Sequence, residues 1–255
     1  MHNEINVPCI TIDWARDGLE YALERKDIVI IVDTLRFSSA VITAVAHGYT
    51  IIPAPDRIQG KIIAEKTNAK LANRSNESGL SISPGSFIQA AAAKEKKVIL
   101  PSPNGASCAT LVTQNDLAFI GCFLNARAIG EMVSDLAHAK EKNVTVIACG
   151  EQRSIKTGER VVYIPEEAFR VFAIEDYLAA GAIIAHTALQ RSVEAEVSIR
   201  SFISSKDDLL QLLRGSFSGR YLVENDLGVD IEHAVQLNLY NVVPRIYGGD
   251  IVHIE

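Results

Sequence analysis

The chain has little of several things that would settle its chemistry quickly. Lysine and arginine form no run longer than the Lys-Glu-Lys-Lys of 94–97, and the formal net charge is -6. A surface that tracks a phosphate backbone is therefore not expected, and neither is a nucleic-acid partner. The four cysteines, Cys9, Cys108, Cys122 and Cys149, show no C-x-x-C spacing, which excludes a local zinc knuckle or dithiol pair and fits a reducing cytoplasm. The six histidines supply neither H-x-H nor H-E-x-x-H spacing, so a histidine-based metal site lacks local ligands. The first residues, MHNEINVPCITIDW, have neither a basic start nor an apolar signal core. The richest late stretch, AFRVFAIEDYLAAGAIIAHTAL, is interrupted by Glu175 and Asp176. Neither secretion nor a membrane span is expected, and there is no low-complexity segment or convincing repeat.

What the chain does have is length and a rhythm. Its 255 residues, 48% hydrophobic and 22% charged, suffice for a substantial core. They read as a single unit over 1–255, with lobes at 1–142 and 143–255 as the alternative division. Short β-branched runs alternate with alanine-rich stretches of helical period, the pattern of a three-layer α/β/α fold around a largely parallel or mixed sheet. Strands are predicted at 28–33, 50–53, 97–101, 117–120 and 143–148. Helices are predicted at 38–47, 56–68, 104–113 and 125–140, several beginning at a residue able to cap exposed amides. After 148 one long helix is predicted from Pro165 onward, and its apolar face suits either burial within the subunit or a homodimer contact. The last segment, NVVPRIYGGDIVHIE, returns to strand-like composition, with Pro244 implying an edge or a bend.

Three familiar motifs fail. In VTVIACGEQRSIKTGE the spacing of Gly150, Lys156 and Thr157 imitates a phosphate-binding loop, but Ile155 stands where glycine is needed. A cysteine-x5-arginine phosphatase loop from Cys149 would need arginine at 155, and Arg153 comes too early, so Cys149 reads as a buried structural thiol. A haloacid-dehalogenase reading of Asp33 fails because its second acid would fall at Leu35.

One constellation remains. IVIIVDTLRFSS at 28–39 ends an apolar run in an acid, a base and two hydroxyls, where the crevice beyond strand ends binds ligands in open α/β sheets. Asp33 would stand beside an anion held by Arg36 and by the helix start at Ser38 and Ser39. ISPGSF at 82–87, with Ser83, and LPSPNGAS at 100–107, with Asn104 and Gly105, are loops of the same kind; each also reads as a plain helix cap. Glu175 and Asp176 interrupt an apolar helix of small residues and call for a partner or a solvent face. Carboxylates without histidines suit a hard cation, most naturally Mg²⁺, which bridges to substrate phosphate.

DTLRFSSAVITAVAHG at 33–48, SISPGSF at 81–87, SPNGAS at 102–107, ACG at 148–150, IEDYLAAG at 174–181, SGRYL at 218–222 and NDLGVDIEHA at 225–234, followed by VVP, span most of the chain. Together they resemble the 2-phosphosulfolactate phosphatase family, a Mg²⁺-dependent α/β group linked with coenzyme M biosynthesis. The resemblance implies that Asp33, Arg36, Ser38, Ser39, Asn104, Gly105, Glu175, Asp176 and Asp230 line one active site. Asp33, Arg36, Glu175 and Asp176 would be catalytic, and Asp33, Glu175, Asp176 and Asp230 the metal-holding group. Arg36, Ser38, Ser39, Arg74, Ser83, Asn104, Gly105 and Arg153 would bind substrate. The chain departs from the family in LANRSNESGLSISPG, with Asn73 in place of an acid and Ile82 in an altered serine-proline loop. The expected reaction is Mg²⁺-dependent hydrolysis of a small anionic phosphoester, 2-phosphosulfolactate to sulfolactate and phosphate, by an oriented water or by direct attack of Asp33. The alternatives are a non-catalytic binder of phosphorylated or sulfonated acids and a transferase acting on a phosphorylated metabolite.

Overall fold

Ile28–Val32 is β-branched throughout, and such residues fit a pleated surface covered on both sides. In the computed structural model of the protein, which describes residues 7–67, 69–73, 79–152, 155–157, 160–162 and 170–254, all five are buried. Alternation sends them to opposite faces. Val29 and Ile31 pack with Leu19, Phe37, Val41 and Phe87, while Ile28, Ile30 and Val32 pack with Ile129, Leu178, Ile183 and Ile199. One strand thus serves two cores, as three layers require.

In chain order the strands are β1 (Cys9–Trp14), β2 (Ile28–Val32), β3 (Thr50–Ala54), β4 (Lys70–Leu71), β5 (Lys97–Pro101), β6 (Leu117–Ile120), β7 (Val144–Ala148), β8 (Glu151–Gln152), β9 (Ile155–Thr157), β10 (Arg160–Val162), β11 (Arg170–Val171), β12 (Gln190–Arg191), β13 (Pro244–Tyr247) and β14 (Asp250–His253). The helices are α1 (Ala15–Glu24), α2 (Ser39–Ala46), α3 (Arg57–Thr67), α4 (Pro84–Gln89), α5 (Gly105–Ala109), α6 (Ala126–Lys140), α7 (Ile174–Ile184), α8 (Val193–Ser205), α9 (Leu209–Gly215), α10 (Phe217–Glu224) and α11 (Gly228–Ala234). Among the described residues the main sheet runs β12-β1-β7-β2-β6-β13-β14-β3-β5-β4. The first five strands are mutually parallel, as are β3, β5 and β4. The β13–β14 hairpin joins the two sets, antiparallel to β6 on one side and to β3 on the other. The three-layer α/β/α expectation holds.

Several local expectations are corrected. Arg170–Val171 pairs antiparallel with Glu151–Gln152, and the helix begins only at Ile174, so no helix runs continuously from Pro165, which itself lies outside the described residues. Glu175 and Asp176 consequently occupy the first turn of α7 rather than its middle, where acids complement the helix dipole. The helix expected over 104–113 stops at Ala109. Pro244 opens an interior hairpin strand instead of an edge; as the first residue of β13 it withholds no ladder N–H that a central position would need. The strand β1 was not expected at all. Because β7 pairs with both β1 and β2, a cut at 142/143 would pass through the middle of the sheet.

Candidate active site

β2 ends at Val32 and hands the chain to Asp33, which is 4% exposed. The next residues, Thr34–Ser38, form one irregular helical turn before α2, and the Leu35–Arg36 peptide in it is cis. Asp33 is fixed from three directions. Its Oδ2 accepts from the Gly105 N–H at 2.7 Å and the Ser102 hydroxyl at 3.1 Å, and its Oδ1 from the Phe37 N–H at 3.4 Å. Gly105 is needed there, because a Cβ at that position would stand 2.8 Å from both Cβ and Oδ2 of Asp33.

The turn consumes the two serines. Ser38 Oγ accepts from the Asp33 N–H at 2.9 Å and donates to the Ile31 carbonyl at 3.4 Å, and Ser39 Oγ donates to the Thr34 carbonyl at 2.8 Å. Both are fully buried and line neither of the two cavities described below, and their hydroxyls are bonded to the irregular backbone instead of standing open to an anion.

Arg36 leaves the turn toward α11. Its Nη1 donates to Asp230 Oδ2 at 2.8 Å, with the two side chains 13% and 2% exposed, and the Ser83 hydroxyl donates to the other oxygen of Asp230. Asp230 thus fixes one side of the guanidinium. Asp176 ties two strand ends together, accepting from the Thr34 N–H at 2.7 Å after β2 and the Gly150 N–H at 3.0 Å after β7. Both acids meet hydrogen-bond donors with both oxygens.

A cavity of about 470 Å³ opens beyond these strand ends, and Asp33, Arg36, Asn104 and Glu151 all face it. Glu151 is an addition that sequence reasoning missed. Its Oε1 accepts from Asn104 Nδ2 at 2.9 Å and from the Gln152 N–H at 2.8 Å, and its Oε2 from the Ser218 hydroxyl at 3.5 Å. Arg220 and Ser102 also line the cavity and were not singled out, although SGRYL and SPNGAS contain them. Ile82 and Phe217 form part of its apolar wall. Ser83 faces a neighbouring cavity on the far side of Asp230. Arg74 and Arg153 lie outside the described residues.

The electrostatics are dominated by acids out of water. Burial pushes the Glu151 carboxyl up, and the charges of Asp33 and Glu175 push it further. Burial likewise raises Glu175, opposed mainly by hydrogen bonding from Ser218. Asp176 is held well above the usual carboxylate range by burial, then by Asp33 and Glu175. Four carboxyls within mutual electrostatic reach form an oxygen-rich, surplus-negative donor set, which suits a hard divalent cation. Among the described residues no three His, Cys, Asp or Glu side chains converge into a ready-made cage. Cys149 is fully buried, and its thiol is pushed well up by its hydrogen bond with Cys108 and by burial, as a structural thiol would be. Ile155 sits in β9, paired with β10, so no helix follows it as a phosphate-binding loop would require.

Strand-end loops that gather buried acids and an arginine around a small cavity have the layout of a ligand crevice in an α/β protein. The family model described as 2-phosphosulpholactate phosphatase matches residues 16–249, and the chain belongs to that family, a family of phosphoric monoester hydrolases. The chain is 27% identical over 232 residues to the probable 2-phosphosulfolactate phosphatase of Pseudothermotoga lettingae, covering 87% of this chain and 90% of that protein. It is 25% identical to the protein of the same name from Carboxydothermus hydrogenoformans, covering 85% of each. It is 24% identical to the 2-phosphosulfolactate phosphatase of Methanothermobacter thermautotrophicus, covering 91% of this chain and 92% of that one. Among the described residues, no helix is long and apolar enough to cross a membrane.

Proposed function

We propose that the cavity hydrolyses 2-phosphosulfolactate to sulfolactate and phosphate with Mg²⁺ as cofactor. The observation that supports this most is that Asp33, Arg36, Asn104 and Glu151, from segments far apart in the chain, line one cavity of about 470 Å³, a volume suited to a small acid. Of the three acids lining the cavity, Glu224 is exposed on α10, and Asp33 and Glu151, at the strand ends, would hold the ion. Glu175 and Asp176 stand behind them and add the negative charge that the ion offsets. When bound, Mg²⁺ supplies charge neutralisation at the phosphoryl oxygens.

The chain's own groups do the rest. Arg36, held by Asp230, presents its remaining guanidinium N–H groups to a phosphoryl oxygen, and the ion pair keeps the fork from swinging away. Asp33, aligned by Gly105 and Ser102, accepts a hydrogen bond from the attacking water and orients it in line with the departing ester oxygen. The proton given up by that water ends on the new hydroxyl of sulfolactate. Asn104 fixes Glu151 from the other side. In this division Asp230 and Asp176 are positioning residues, because neither lines the cavity that Asp33 faces and their oxygens hold Arg36, Ser83 and two strand-end amides in place.

The test is phosphate release from 2-phosphosulfolactate and from phosphoesters of other short hydroxy acids, with Mg²⁺ and after exhaustive chelation. Release that needs the ion and prefers the sulfonated ester is expected. Saturable binding without release would make the protein a binder of such acids, and equal turnover in excess chelator would remove the metal.

A further inference from the structure

One polar atom at the cavity is left over. Gln152 follows Glu151 in β8 and lines the same cavity, and its main-chain N–H is already spent on Glu151 Oε1 at 2.8 Å. Its side-chain Nε2 is buried and meets no acceptor. Nearly all buried amide donors are paired, since an unpaired one forfeits its hydration without return. The other buried unpaired donor among the described residues, Nε of Arg245, lies in β13 with its guanidinium 5.3 Å from the Tyr247 ring, and it does not line this cavity. Gln152 differs because the residue lines the cavity, so a small turn of its side chain would carry the buried amide to a bound ligand.

We infer that Gln152 is a substrate-contacting residue whose Nε2 donates to a phosphoryl oxygen in the cavity shared with Asp33, Arg36 and Glu151. The inference rests on the phosphatase reading of that cavity. An amide is suited to the place: it gives a hydrogen bond to an anionic oxygen without adding charge beside Glu151, so it leaves the field around a cation unchanged. Before substrate arrives the donor stands unsatisfied, and the bond gained on binding comes without a competing protein partner to displace.

The experiment uses Gln152→Met, which keeps length and removes the donor, and Gln152→Glu, which replaces it with an acid. Steady-state phosphate release, thermal unfolding and calorimetric titration with inorganic phosphate are measured on the Mg²⁺-loaded full chain. Gln152→Met should lose about tenfold to a hundredfold in kcat/KM, the factor one hydrogen bond to an anion is worth. It should bind phosphate more weakly by a similar factor and unfold at the same temperature or a higher one, because a buried unpaired donor has gone. Gln152→Glu should be the poorer enzyme. A purely structural glutamine would show the reverse, a fall in unfolding temperature with kcat/KM and phosphate affinity retained, and that would overturn the inference. If the wild-type chain releases phosphate from no ester, the proposed function falls, while the phosphate titration still tests Gln152: equal affinity in wild type and Gln152→Met would refute it.

Discussion

Replacing Gly105 by alanine puts a methyl group into the tightest space beside the acid. The added Cβ would stand 2.5 Å from Cδ1 of Phe37 and 2.8 Å from Cβ and Oδ2 of Asp33. Non-bonded carbons settle near 3.5 Å, so something must withdraw by roughly 0.7 to 1 Å. Phe37 is fully buried among Leu19, Val41 and Phe87 and has nowhere to go. Asp33 or the start of α5 must therefore move, and either motion strains the 2.7 Å bond from the Gly105 N–H to Oδ2. Overpacking of this kind costs about 1–3 kcal/mol of stability. A misplacement approaching 1 Å at a reacting group costs about a hundredfold in rate, so kcat should fall by about tenfold to a hundredfold. KM should change less, because Arg36, held by Asp230, belongs to another part of the wall. Phosphate release across a substrate series gives both parameters, and urea unfolding of the same preparation gives the stability. A variant that loses the expected stability yet keeps wild-type kcat would refute the claim that Gly105 aligns Asp33 for the chemistry.

Asp33→Asn should abolish most turnover while disturbing the fold less than Asp33→Ala, which would strand the donors of Phe37, Ser102 and Gly105; equal loss of stability in the two variants, by urea unfolding, would contradict the donor count. Arg36→Ala leaves Asp230 as a buried charge without its cation and should cost about 3–5 kcal/mol, with part regained in the Arg36→Ala, Asp230→Ala double variant; strictly additive losses would show that the pair is not coupled. Glu151, Glu175 and Asp176 all have carboxyls raised on folding, so the folded chain binds more protons than the unfolded one above the ordinary carboxylate pKa. Without Mg²⁺, stability should therefore be greatest in mild acid and decline as pH rises through the raised pKa values. Glu175→Gln should flatten that decline in a series of thermal melts, and a wild-type melt that improves steadily toward neutrality would reverse the sign. Adding Mg²⁺ should raise the unfolding temperature more at neutral pH than in mild acid, where the same acids are protonated.

The sheet was legible wherever a strand is buried on both faces, because such strands read as unbroken apolar runs: 28–33, 97–101, 117–120 and 143–148 all fall within a residue or two of β2, β5, β6 and β7. Cys9–Trp14 alternates instead, with Ile10 and Ile12 inward, and its short, mixed composition did not stand out. The start of α7 was misjudged because AFRVFAI suits either period, and what makes Arg170–Val171 a strand is its distant partner Glu151–Gln152. The site divides in the same way. Asp33, Arg36, Asn104 and Gly105 could be found because strand ends are where α/β folds place ligands. Glu151 could not, since a single acid in a polar loop resembles any solvated acid until Asn104 and Ser218 are seen against it. Ser38 and Ser39 looked like an anion cap because sequence shows which hydroxyls follow a strand and not which carbonyls and amides an irregular turn leaves for them.

The last segment of the chain explains why the site closes at all. Asp33 follows β2 and Ser102 and Gly105 follow β5, and these strands belong to sets that run in opposite formal directions, separated by β6 and the β13–β14 hairpin. In a flat sheet their carboxyl ends would point to opposite edges, and no hydrogen bond could join them. Twist accumulates at about 20–25° per strand pair, so the five steps from β2 to β5 turn the sheet through about 100–125°. The antiparallel hairpin contributes the reversal and the twist turns much of it back, but at roughly 4.8 Å per strand the two ends would still stand about 24 Å apart in an open sheet, so the 2.7 Å bond between Gly105 and Asp33 requires the sheet to curl as well as twist. Gly248 and Gly249, at φ of 60° and 85°, make the two-residue turn that lets β13 and β14 enter as a pair. A hairpin that supplies no group to the cavity therefore sets where the acid after β2 meets the amide after β5, and the position of the candidate site depends on the curvature of the whole sheet.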